Sequence, residues 1–76
     1  MNTLVNAKIN DKLKVVKIVG GRGIQCRLAQ LGIGIGSIII VCRNAPFSGP
    51  LIIEHDGSKF AIGMGIAARI IVKAIS

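Results

Sequence analysis

Tryptophan and tyrosine are absent from this chain, and only two phenylalanines, Phe47 and Phe60, stand among its 76 residues. Proteins that hold single-stranded nucleic acid commonly stack bases on aromatic side chains, and this chain lacks that platform. Acid is scarce as well. Three Asp and Glu face ten Lys and Arg, for a net charge of +7. Such a balance favours an anionic partner. The charges are nevertheless spread along the chain, as in a β-protein whose lysines guard its strand edges.

Long apolar runs are missing too. The most apolar run, Ile38 to Cys42, ends at Arg43, well short of the roughly 18 residues that a membrane span needs. The N-terminal Met-Asn-Thr-Leu-Val-Asn has no basic stretch followed by an apolar one, so no secretory signal is expected. Cys26 and Cys42 form no C-x-x-C pair, which removes the zinc-knuckle and thioredoxin patterns and leaves free thiols as the default for a cytosolic chain. Length sets a further bound. A chain of 76 residues is read as one domain, 1–76, with its core over about 13–75. A domain of that size buries only about 60% of its unfolded surface, which leaves little core from which to carve a substrate cleft. The chain is expected not to be an enzyme.

What is plentiful is aliphatic mass: 51% of the residues are apolar, many of them isoleucine. Isoleucine and valine are stiff at the first side-chain torsion and favour strands. Residues 1–12 are mixed and expected to be loosely held. A strand is predicted over Leu13 to Val19, broken by Gly20-Gly21-Arg22-Gly23. Ile24, Leu28 and Leu31 fall at i, i+4 and i+7 and predict a short helix, with Gly32 placed to stop it. Further strands are predicted over Ser37 to Arg43, Leu51 to His55, Lys59 to Ile62 and Arg69 to Ile75. A Pro-Gly loop separates the first two, and an Asp56-Gly57 hairpin turn joins the next two. Gly63 to Ala68 reads as a short helical or irregular link. Parallel crossovers need about a dozen residues each, and too few remain, so a small, strongly bent antiparallel barrel is expected.

The chemistry on offer is thin. His55 is the single histidine, and a triad with Asp56 and Ser48 or Ser58 can be drawn on paper. Neighbours on an extended strand face opposite ways, however, so His55 and Asp56 are expected to diverge. The same alternation puts Glu54 and Asp56 on one face and His55 on the other, which works against a closed metal site. His55 and Cys42 remain weak metal candidates, with Cys26 further off; Fe(II) or another transition metal is what imidazole and thiolate would take. Gly20, Gly21 and Gly23 precede a helix but match no P-loop, and Gly32-x-Gly34-x-Gly36 leads into a strand. Gly20, Gly21, Gly23, Gly32 and Gly36 are read as structural turn positions at barrel corners.

One pattern runs through these pieces. Gly20-Gly21-Arg22-Gly23-x-x-x-Arg27-Leu28-Ala29-x-Leu31-Gly32-Ile33-x-x-Gly36 resembles the FeoA family of ferrous-iron-transport accessory proteins. Ala45-Pro46-x-x-Gly49-Pro50, Phe60-Ala61-Ile62 and Ala67-x-x-Ile70-x-Val72 continue the resemblance, which covers about Leu13 to Val72. It implies a mainly β fold: a small SH3-like barrel of five to six strands, with one short α-helix after the first strand. It implies a cytoplasmic location and a role beside FeoB, a membrane Fe(II) transporter with a GTPase domain. The C-terminal SH3-like domain of DtxR-type iron-dependent repressors is similar. Without a helix-turn-helix region, this chain is expected to be the stand-alone form. Two departures stand out. Ile35 occupies a position where the family usually has Pro, and Gly63-Met64-Gly65-Ile66 replaces a charged helical link.

Strand alternation puts Ile39, Val41, Leu51 and Ile53 on the core face. Ile38, Ile40, Ile52 and Ile71 are then expected on the outer face, where relatives often carry polar residues. A contiguous apolar cluster there marks a partner interface. The leading expectation is an interaction module that docks on the cytoplasmic part of the FeoB-type transporter, with self-association as a variant of the same surface. A metal sensor or carrier at His55 or Cys42 and a small basic nucleic-acid-binding barrel are the alternatives, with nucleic acid the less favoured partner. No cofactor is required by the leading reading.

Overall fold

The computed structural model describes residues 2–43 and 49–75. In chain order these build β1 (Asn2–Thr3), a 3-10 turn (Leu4–Asn6), β2 (Lys12–Ile18), α1 (Arg22–Gln30), β3 (Ile38–Arg43), β4 (Leu51–His55), β5 (Ser58–Ile62), α2 (Met64–Ala67) and β6 (Ile70–Ala74). The six strands form one sheet in the order β1-β6-β2-β3-β4-β5, and every pairing is antiparallel. The Ala45-Pro46 part of the expected middle loop, with Phe47 and Ser48, lies outside the described residues.

Alternation builds the strands. In β2, Leu13 and Val15 are buried while Lys12 and Lys14 are exposed. The register then shifts between Val15 and Lys17, so that Val16 is the extra residue of a bulge. Lys17 stays outside, and Ile18 turns in to pack on the core. In β3 and β4, Ile39, Val41, Leu51 and Ile53 are buried, as their alternation predicted. A second shift between Val41 and Arg43 places Cys42 at a bulge. Bulges bend a strand and increase its local twist, and two of them help a short sheet to curl around a thin core.

α1 covers that core. Leu28 is buried, Ile24 and Leu31 pack against the cluster, and Gln25, Arg27 and Gln30 are exposed, which is the face that the i, i+4, i+7 spacing required. The helix ends on a Schellman pair. Gly32 N–H donates to the Ala29 carbonyl at 2.9 Å, and Ile33 N–H donates to the Leu28 carbonyl at 2.9 Å. Gly32 takes φ 79°, the left-handed geometry that this cap needs and that glycine adopts at low cost. The cap's apolar partners, Ile33 and Leu28, are both buried. At the other end Gly20 takes φ 131°, and a Cβ there would stand 3.0 Å from Ile24 Cδ1.

Two expectations about local structure need correction. Residues 1–12 are not loosely held throughout. β1 pairs with β6, and Leu4 is fully buried in the core cluster, so the core reaches nine positions further back than Leu13. Gly23 is not a turn residue but sits inside α1, and Gly21 is the helix N-cap in extended geometry with φ −81°. Gly20, Gly32 and Gly36 are the turn glycines, all with positive φ. The C-terminal link is regular enough to form α2, where Ala67 is buried.

Candidate functional site

The outer sheet face carries the isoleucines. Ile38 is 38% exposed, and Ile40, Ile52 and Ile71 are half-buried, each alternating with buried core residues. Register decides which of them form a patch. Ile38 lies opposite Lys14, and Ile40 lies between Lys12 on β2 and Glu54 on β4. Ile52 lies opposite Arg43 on one side and Ala61 on the other, which makes it a diagonal neighbour of Ile40, within reach of long side chains. Ile71 is different. Its β2 neighbour is Lys17, so the lysines of β2 separate it from the other three. The structure thus brings Ile38, Ile40 and Ile52 together and leaves Ile71 as an outlier across a cationic row.

Charge frames that patch. β2, β3 and β6 contain no acidic residue and contribute Lys12, Lys14, Lys17, Arg43 and Lys73. Lys14 and Lys73 stand directly opposite each other, a pairing of like charges that costs rather than stabilises. Among the described residues no lysine or arginine makes an ion pair; the one pair found is His55 with Asp56. An apolar centre with a charged rim is the general anatomy of a protein interface.

His55 is built in differently from either role considered for it. The ring Nδ1 lies 3.0 Å from the Ile38 carbonyl and Nε2 lies 2.9 Å from the Gly32 carbonyl. Both partners only accept, so a ring protonated at both nitrogens donates both bonds and a neutral ring donates one. The side chain is 10% exposed. His55 therefore clips the β4–β5 hairpin to the cap of α1 and to the start of β3. A metal at either nitrogen would first have to break one of these bonds. Cys42 lies elsewhere, beside Ile52 and Ile53 at the other end of β4, with its Sγ 3.9 Å from the Ile40 carbonyl. The two weak metal candidates are not brought together, and among the described residues no group of three or more His, Cys, Asp and Glu gathers.

One geometric expectation about His55 fails. Asp56 does not diverge from it: Asp56 Oδ2 stands 3.4 Å from His55 Nε2. The reason is local. Asp56 is a turn residue with φ 51°, so strand alternation no longer governs where its side chain points. Ser58 sits across the hairpin from His55, but the imidazole nitrogens face carbonyls, and among the described residues no hydroxyl–imidazole bond forms. Gly34 to Ser37 is a turn in its own right. Ser37 N–H donates to the Gly34 carbonyl at 3.0 Å, and Gly34 N–H donates to Ser37 Oγ at 2.9 Å. Gly36 takes φ 95° at its third position, the type II pattern, whose second position accepts proline readily. That second residue is Ile35, 73% exposed.

Comparison with known proteins gives this architecture its place. The FeoA domain model matches residues 2–74. The chain belongs to the FeoA family. A relative from Methanocaldococcus jannaschii, named provisionally as an Fe(2+) transport protein A, is 44% identical over 73 residues, spanning 96% of this chain and 87% of that one. The crystal structure of an iron uptake regulatory protein (FeoA) superposes with a TM-score of 0.89 at 37% identity, covering 96% of each chain. The repressor ScaR, crystallised with Zn2+, matches with a TM-score of 0.89 at 24% identity over 99% of this chain and 37% of its own. That last likeness is one of fold alone, and the mainly β, SH3-like architecture holds. Among the described residues no helix is long and apolar enough to cross a membrane.

Proposed function

We propose that this FeoA-family chain is an accessory protein of ferrous iron transport, which docks on the cytoplasmic part of a FeoB-type Fe(II) transporter. One observation carries the reading: Ile38, which is exposed, and Ile40 and Ile52, which are half-buried, form an apolar patch flanked in the register by Lys12, Lys14 and Arg43, with Glu54 beside Ile40. The partner surface that fits is apolar at its centre and acidic around it. Ile71, beyond the lysine row, belongs to the margin of the contact. The protein acts by binding rather than by catalysis, at the inner side of the membrane through its partner.

The metal-sensor reading gains nothing from the geometry, because His55 is spent on two carbonyls and Cys42 is remote from it. The nucleic-acid reading keeps the charge but lacks a stacking platform. Co-purification tests the docking. Wild-type chain is expected to stay with detergent-solubilised transporter through a wash at moderate salt, and Ile40→Glu and Ile52→Glu are expected to be lost. If both variants keep the binding and the oligomeric state of the wild type, the isoleucine face is the wrong surface.

A further inference from the structure

Among the described residues β5 is the last strand of the sheet and pairs with β4 alone. The turn between them has two residues, Asp56 and Gly57, with φ 51° and 81°. In a two-residue hairpin the flanking residues, here His55 and Ser58, exchange hydrogen bonds, and bonded and non-bonded pairs then alternate along the ladder. Ser58, Phe60 and Ile62 accordingly direct their backbone groups at β4. Lys59 and Ala61, opposite Glu54 and Ile52, direct theirs away from the sheet. Among the described residues no other backbone group bonds to either, and both residues are exposed. Two donors and two acceptors are left on a free edge.

A shallow groove runs beside that edge. It is lined by Arg27 and Leu31 of α1 and by Ala61, Gly63 and Ile66. Arg27 lines it and Lys59 lies two positions along β5 from Ala61; among the described residues neither makes an ion pair, although Glu54 stands opposite Lys59 in the ladder.

We propose that the β5 edge accepts an extended segment of a partner protein as an added strand, with apolar side chains alternating with acidic ones. The backbone of Lys59 and Ala61 supplies the ladder bonds. The apolar side chains enter the groove between α1 and α2, and the carboxylates meet Lys59 and Arg27. Strand addition of this kind draws affinity from main-chain bonds and specificity from pockets for alternate side chains. Charge selects the occupant. A second copy would bring another net charge of +7 against this one, whereas an acidic segment is attracted by it. Lys59 also fits this role, since an edge lysine discourages indiscriminate pairing and a carboxylate on the added strand would give it a second acidic cross-strand neighbour beside Glu54. The edge adjoins the isoleucine face at Ala61, which lies opposite Ile52, but it engages a partner through backbone groups, and the proposal does not depend on the transporter being the partner.

Fluorescence polarisation with a short labelled peptide of alternating valine and glutamate tests it. Wild-type chain is expected to bind. N-methylation of the peptide amides that face β5 is expected to weaken binding by at least about tenfold, the scale of one or two lost hydrogen bonds. Ala61→Pro removes a single outward N–H, leaves the β4 ladder intact, and is expected to weaken binding to a similar degree. A valine–lysine peptide is expected not to bind. In hydrogen exchange, the amides of Lys59 and Ala61 are expected to slow on addition of the acidic peptide. Undiminished affinity after N-methylation would overturn the proposal, as would peptide binding without new protection at Lys59 and Ala61. Protection of those amides that rises with protein concentration alone would assign the edge to a second copy and overturn the acidic segment.

Discussion

His55→Ala should destabilise the fold without abolishing it, and the size of the effect follows from what the ring touches. The substitution removes the ring's bonding to the carbonyls of Gly32 and Ile38, at 2.9 and 3.0 Å: one donated bond from a neutral ring, two from a ring protonated at both nitrogens. A typical intramolecular bond contributes a net of about 0.5–1.5 kcal/mol, which gives about 0.5–3 kcal/mol for one or two bonds. Gly32 and Ile38 are themselves exposed, so water can reach carbonyls left behind, and the lower half of that range applies to the bonds. Lost packing of a side chain that is 10% exposed pushes the total back toward about 2 kcal/mol, of the order expected when a mostly buried side chain is truncated. For a domain of this size, that corresponds to a fall in Tm on the order of 10 °C. Urea denaturation of wild type, His55→Ala and His55→Gln measures it. His55→Gln retains an amide donor for one carbonyl and should recover part of the loss. A His55→Ala chain within about 0.3 kcal/mol of wild type would refute the clip, since surface positions without such contacts stay inside about 0.5 kcal/mol.

Other perturbations probe other parts of the account. Leu4→Ala should cost about 2–5 kcal/mol in urea denaturation, as for other fully buried leucines; a negligible cost would mean that the N-terminal segment is not part of the core. Ile35→Pro should raise stability by about 0.4–1 kcal/mol, because Ile35 fills the second position of a type II turn and its N–H makes no bond among the described residues; a loss of stability would contradict that turn assignment. Lys73→Glu should stabilise by a few tenths of a kcal/mol by relieving the opposed Lys14, while weakening attachment to an acidic partner. Chemical denaturation and co-purification of the same variant report both effects, and an unchanged stability would show that the two lysines avoid each other.

Much of this fold is legible from local patterns. The α1 face follows from Ile24, Leu28 and Leu31, and the β4–β5 hairpin follows from Asp56-Gly57, because each depends on residues that are close in sequence. The core positions Ile39, Val41, Leu51 and Ile53 follow from alternation. What escaped depends on distant partners. β1 is two residues long and exists because β6 is there to pair with, so nothing periodic announces it. The bulges at Val16 and Cys42 are properties of register between strands rather than of either strand alone. His55 presented itself as a metal or catalytic candidate because its carbonyl partners are separated from it by 17 and 23 positions. The isoleucine face was legible in outline, but the lysine row that isolates Ile71 appears only once β6 is known to lie beside β2.

The central claim is that the face around Ile40 and Ile52 docks on the transporter. Calorimetric titration of the transporter's cytoplasmic domain with wild-type chain and with an Ile40→Glu, Ile52→Glu double variant tests it most directly, with circular dichroism to show that the variant is folded. The account predicts a saturable complex for wild type that weakens as salt is raised, as pairing with an acidic surface should, and at least a tenfold loss of affinity in the folded variant, the scale expected for buried charge at an interface core. Equal affinity of the two chains, or no complex with wild type at all, would contradict it.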